Sequence, residues 1–126
     1  MTTPNATPSP ETRTIPKDQL EDYFTRFTKH FLMPESTNRI DVEVLSADFG
    51  DQFESEGAHV FGITYDPGKN SLEFALEGGD HRVEQVKEIR TAEEADGFVK
   101  AIEVVRDDGT REVARVNRGG ITRRAT

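Results

Sequence analysis

Two adjoining runs in the middle of the chain alternate apolar with polar residues, and the rest of the pattern is arranged around them. Phe61, Ile63 and Tyr65 alternate with Gly62 and Thr64, and Leu72, Phe74 and Leu76 alternate with Glu73 and Ala75. Each run therefore predicts a strand with one apolar face. Between them Asp66-Pro67-Gly68 supplies a side-chain acceptor, a preset φ and a residue free to take positive φ, as a tight reversal requires. The expectation is a core hairpin.

Upstream, Leu20, Tyr23, Phe24, Phe27 and Phe31 recur at steps of three and four, with Glu21, Asp22, Arg26 and Lys29 opposite. This spacing predicts an amphipathic helix over about 16–31, opened by Pro16 and Asp18 and stopped by Pro34,. Four aromatics in one stripe suit a ligand groove or, more simply, a helix that covers its own sheet.

Ile40, Val42 and Val44 predict a half-buried strand,. Residues 46–58 place Phe49 and Phe53 among carboxylates, which fits a pinned loop or an irregular strand. After a turn at Gly78-Gly79-Asp80, residues 81–90 carry Val83, Val86 and Ile89 at three-residue steps. A position between two turns favours a bulged strand there over a short helix. Thr91 to Gly97 reads as an acidic connection, and residues 98–105, apolar on nearly both faces, as a central strand,. Asp107-Asp108-Gly109 signals a two-residue hairpin loop into a returning strand over 110–117,.

The implied fold class is α+β: an N-terminal helix capping a strongly curved antiparallel meander of five or six strands, with closure into a small barrel as one way to relieve the edges. The domain is expected over 14–117, between a disordered tail (1–13) that holds three of the six prolines and a flexible basic tail (118–126),.

Composition narrows the functions. At 126 residues, 33% of them hydrophobic, the chain suits one soluble domain,. No apolar run approaches a membrane span and no signal-like segment opens the chain, so a cytoplasmic location is expected. The absence of cysteine removes disulfides, thiolate nucleophiles and Cys-based metal sites. A net charge of −8 opposes nucleic acid and anionic membrane,. The charge is uneven, because five Arg against Glu112 alone lie between Arg111 and Thr126. That basic segment invites an RNA-binding reading but contains no aromatic for base stacking.

Candidate chemistry is sparse. His30, His59 and His81 lack the spacing of a metal motif, so no metal and no cofactor is expected,. Tyr65 and Asp66 end a strand at a turn, where side chains are presented on rigid support. His81 stands near Asp80 and Glu84, the neighbourhood that raises the pKa of an acid–base histidine. Tyr65, Asp66 and His81 are therefore the candidate binding residues, and no catalytic residue is assigned.

Thr14-Ile-Pro-Lys-Asp-Gln19, Gly62-Ile-Thr-Tyr-Asp-Pro67 and Ala101-Ile-Glu-Val-Val-Arg-Asp-Asp-Gly-Thr110 stand in an order that resembles a family of small bacterial proteins classed as a domain of unknown function. The resemblance runs from about Thr14 to Val116 and includes a histidine at His81. Where the family pattern has His-Pro, this chain has Gln85-Val86. The resemblance implies a shared fold and no known activity. Three functional readings follow: a non-enzymatic module for a protein partner or small ligand, with homo-oligomers formed through a sheet edge as one option; a small enzyme using His81 with a neighbouring carboxylate; and a nucleic-acid accessory protein using the basic tail.

Overall fold

A computed structural model describes residues 12–32, 38–46 and 50–118; for Leu45, Ser46 and 50–56 it describes the backbone alone. The expected tails over 1–11 and 119–126, the stop at Pro34 and the Phe49 and Phe53 side chains lie outside the described residues. The elements are β1 (Arg13–Thr14), a 3₁₀ turn (Lys17–Gln19), α1 (Leu20–Phe27), a π turn (Thr28–Leu32), β2 (Arg39–Ser46), β3 (Gly50–Asp66), β4 (Ser71–Leu76), β5 (His81–Val83), β6 (Val86–Glu93), β7 (Val99–Arg106) and β8 (Arg111–Asn117). Among the described residues no helix is long and apolar enough to cross a membrane.

The strands form one antiparallel sheet in the order β1-β6-β7-β8-β2-β3-β4-β5. The expected α+β class holds, but the count of five or six strands and the barrel do not. Gln85, at φ 56, divides the expected bulged strand into β5 and β6, and the segment before the helix adds β1. The order is also not a simple meander, because β8 returns to pair with β2 and β1 with β6. The sheet stays open, and its edges are the two shortest strands, of two and three residues. Short edges offer little template for unwanted pairing.

Curl comes from β3, a 17-residue strand whose first half pairs with β2 and whose second half pairs with β4. Register shifts lie in both ladders, and each bulge adds bend and twist. One bulge is pinned through Gly57, whose N–H donates to Asp41 Oδ1 at 2.6 Å and whose carbonyl accepts from Arg39. The concave face holds a single core that includes Ile40, Val42, Ile63, Leu72, Phe74, Ile89 and Ile102, with Leu20, Phe24 and Phe27 of the helix.

Beyond Val60 no strand among the described residues pairs with the β2 side of β3, and the helical segment covers that edge. Thr28 Oγ1 accepts from the Ile63 N–H and donates to the Ile63 carbonyl, both at 2.9 Å. Thr28→Val keeps the shape but leaves both backbone groups without a partner, so a loss of about 1–3 kcal/mol is expected. Thr28→Ser, which keeps the hydroxyl, should lose clearly less when the two are compared by denaturant unfolding.

The hairpin loops refine the turn expectations. Asp66 Oδ1 accepts from the Gly68 and Lys69 N–H groups as expected, but the positive φ falls on Asn70 and not on Gly68. At Asp107-Asp108-Gly109 the loop has three residues where two were expected: Arg106 N–H bonds the Thr110 carbonyl, Gly109 N–H bonds the Arg106 carbonyl, and Gly109 takes φ 89. The expected acidic connection is a copy of this device. Glu94 pairs with Phe98 in the same way around Gly97 at φ 93, a turn followed by a left-handed residue that suits glycine. In each loop the preceding aspartate accepts from a backbone N–H, of Phe98 for Asp96 and of Thr110 for Asp108. These bonds hold both carboxyls below the usual carboxylate range,.

Candidate functional site

Each of the three residues singled out by sequence has its own partner. The Tyr65 side chain is buried and its hydroxyl donates to Asn70 Oδ1, while Asp66 is occupied with its turn. His81 stacks on Phe74, its cross-strand neighbour, and places Nε2 2.6 Å from Glu112 Oε1. Glu112 belongs to β8, which three strands, β2, β3 and β4, separate from β5 in the sheet order. The curl alone brings the two together across the concave side. Only 16% of the His81 side chain and 7% of the Glu112 side chain reach solvent. The carboxylate beside His81 is thus neither Asp80 nor Glu84, and sequence spacing held no signal for it. His30 packs edge-on against Phe31, and His59 lies 3.3 Å from Glu77. Among the described residues no three His, Asp or Glu side chains are grouped as metal ligands.

A cleft of about 520 Å³ lies elsewhere, between the helical segment and the β1, β6 and β7 end of the sheet. That size falls within the range of small-molecule sites, roughly 300–1,000 Å³. Tyr23, Phe27, Phe31 and Val99 give it an apolar floor, and Arg13, Arg26, Lys29 and His30 line it with nitrogen. Tyr23 and Phe27 also belong to the core, whereas Phe31 is only partly buried. The apolar stripe of the helix therefore serves the core at Leu20 and Phe24 and the cleft at its C-terminal end.

Among the described residues Glu93 is the single carboxylate in the lining. Its Oε2 accepts from the Tyr23 hydroxyl and from Arg13 NH2. The Tyr23 oxygen also lies 3.0 Å from Oγ1 of the buried Thr91. Burial, with Glu93 beside the hydroxyl, pushes the Tyr23 pKa far up,. The folded protein then holds the phenolic proton at a pH where the unfolded chain, with an ordinary tyrosine near ~10, has lost it. Stability from this group is complete below ~pH 10 and falls as pH rises further. Unfolding midpoints between pH 8 and 11 should therefore drop less steeply in Tyr23→Phe than in the native protein. Tyr65, also raised by burial and then by Asp66, keeps some slope in the variant.

Of the cations, Arg13 is paired with Glu93 and Arg26 with Asp22, the latter on the open helix surface. Lys29 has no carboxylate partner among the described residues. The far wall is held by Arg118, which the sequence pattern assigns to the tail. Its guanidinium lies 4.3 Å from the Phe98 ring centroid and 5.7 Å from that of Phe31, and it bridges to Glu94 at 2.9 Å and Asp96 at 3.0 Å. It ties the β6–β7 loop, which contributes Gly97 to the cleft, to the end of β8.

Fold and site together define a helix-covered, open antiparallel sheet with an amphipathic cleft at the helix and loop end. The chain belongs to a family of unknown function, DUF5335, which matches residues 11–120. It is 38% identical over 106 residues to an uncharacterized protein of Aquifex aeolicus (strain VF5), across 83% of this chain and 91% of the relative. No solved structure matches the chain significantly.

Proposed function

We propose that the protein is a non-enzymatic binding module and that the cleft between α1 and the β6–β7 loop takes a small organic anion. The observation that carries this reading is an aromatic floor rimmed by Arg13, Arg26, Lys29 and His30, with Glu93 as the only carboxylate among the described residues, on a chain whose net charge is −8. A cationic rim that runs against the net charge of the whole molecule complements a carboxylate or phosphate,. Zero cysteine and the acidic surface support a cytoplasmic setting,.

The His81–Glu112 pair supports an enzyme less well, because it is largely buried and lines neither this cleft nor the shallower one along β7 and β8. Homo-oligomers through a sheet edge find little support in edges of two and three residues. The test is an amide-resolved NMR titration with benzoate, octanoate and inorganic phosphate against neutral and cationic analogues. Saturable shifts confined to residues 13, 23–31 and 93–99, seen with anions and abolished by Lys29→Glu, are expected. Preference for cations, or shifts centred elsewhere, would overturn the reading.

A further inference from the structure

The geometry points to a planar aromatic acid that carries a hydrogen-bond donor at the end of the ring away from the acid, such as an amino- or hydroxy-substituted aromatic carboxylate. This inference rests on the cleft being the ligand site, and it comes from the way Glu93 is used. Both groups that neutralise Glu93, the Tyr23 hydroxyl and Arg13 NH2, bond the same oxygen, Oε2. Oε1 has no partner among the described residues, and the side chain is 24% exposed. A carboxylate oxygen at the wall of a cleft, on a group held in place by a buried tyrosine, is an acceptor awaiting a donor.

The same carboxylate decides where an acid can go. An anion placed beside Oε1 meets like charge, whereas one placed toward Lys29 meets a cation with no carboxylate partner among the described residues,. Because Glu93 comes from β6 and Lys29 from the helical segment, a ligand that serves both carries acid and donor at separate ends, with Tyr23, Phe27 and Phe31 as the apolar surface for its middle. That floor is built from rings already packed edge-to-face or tilted, Phe27 with Phe31 at 5.4 Å and Phe31 with Phe98 at 5.3 Å. Arg118 lies against the Phe31–Phe98 pair and holds its wall in place. A preset wall of rings accepts another ring at little ordering cost, while a flexible alkyl chain must lose rotamer freedom to lie on it.

Isothermal titration of the full chain with 4-aminobenzoate, benzoate, 4-aminobenzamide and octanoate tests the assignment. On the native protein, 4-aminobenzoate should bind about tenfold more tightly than benzoate, which lacks the donor, and than 4-aminobenzamide, which lacks the charge. In Glu93→Gln the advantage over benzoate should shrink, and in Lys29→Met the advantage over 4-aminobenzamide should shrink. Equal affinity of 4-aminobenzoate and benzoate on the native protein overturns the donor assignment, and octanoate binding as tightly as 4-aminobenzoate overturns the aromatic one. In both cases the anion-binding reading stands, since an anion still binds. Absence of binding by all four probes overturns both. Should Glu93→Gln fail to fold, the native series and Lys29→Met decide the matter.

Discussion

His81→Ala is expected to destabilise the protein by about 3 kcal/mol or more, the cost of leaving a buried carboxylate without its partner. Glu112 sits on β8 opposite Val104 of β7 on one side and Val44 of β2 on the other. Without the imidazole, its buried carboxylate faces apolar side chains. Glu112→Gln keeps a polar group near His81 and leaves no stranded charge, so a loss of about 1 kcal/mol is expected. The double variant His81→Ala/Glu112→Gln should then be more stable than His81→Ala alone, a non-additivity that distant sites do not show. Denaturant unfolding of the four proteins measures it. Losses under ~1 kcal/mol that simply add would mean that the pair does not tie β5 to β8. A residue that the sequence places at an ordinary strand start becomes, through the curl, a tie across the concave face.

Phe24→Ala should be the costliest single truncation in the helix, at about 3–5 kcal/mol. Phe24 has no exposed surface and meets Tyr23 edge-on at 5.1 Å. The space it leaves lies between the helix and a sheet held rigid by its ladders, where little can collapse into it. Phe61, by contrast, is 44% exposed, and Phe61→Ala should stay within about 0.5 kcal/mol. Thermal and denaturant unfolding of the two variants compares them directly. A small loss for Phe24→Ala would mean that the helix adapts to the gap and is not a fixed cover. Because Tyr23 and Phe27 share that helix and line the cleft, Phe24→Ala should also weaken anion binding with no cleft residue changed.

What could be read in the sequence was whatever depends on near neighbours. Steps of three and four between Leu20 and Phe31 mark one helical face whatever the helix packs against. The alternations at 61–65 and 72–76 mark strands, and Asp66 makes its turn with amides two and three residues away. Even the hairpin around Gly97, read only as an acidic connection, repeats the Asp-Gly pattern of the Asp108-Gly109 loop. The signal was present and differed only in its apolar flank.

The cleft and the His81–Glu112 pair were not legible in this way, because their members lie far apart in the chain. Arg13, Tyr23 and Glu93 come together only because β1 pairs with β6 beside the helix. Arg118 reaches Phe31 only because the end of β8 lies beside the β6–β7 loop. Sequence by itself determined the helix, most of the strands and the turn chemistry, since these are settled by periodicity and by bonds between residues a few positions apart. The tertiary structure decided the strand order, the open curl and the partner of every candidate residue outside a turn. Those follow from how far β3 bends and which strand β8 finds beside it, and no local spacing encodes either.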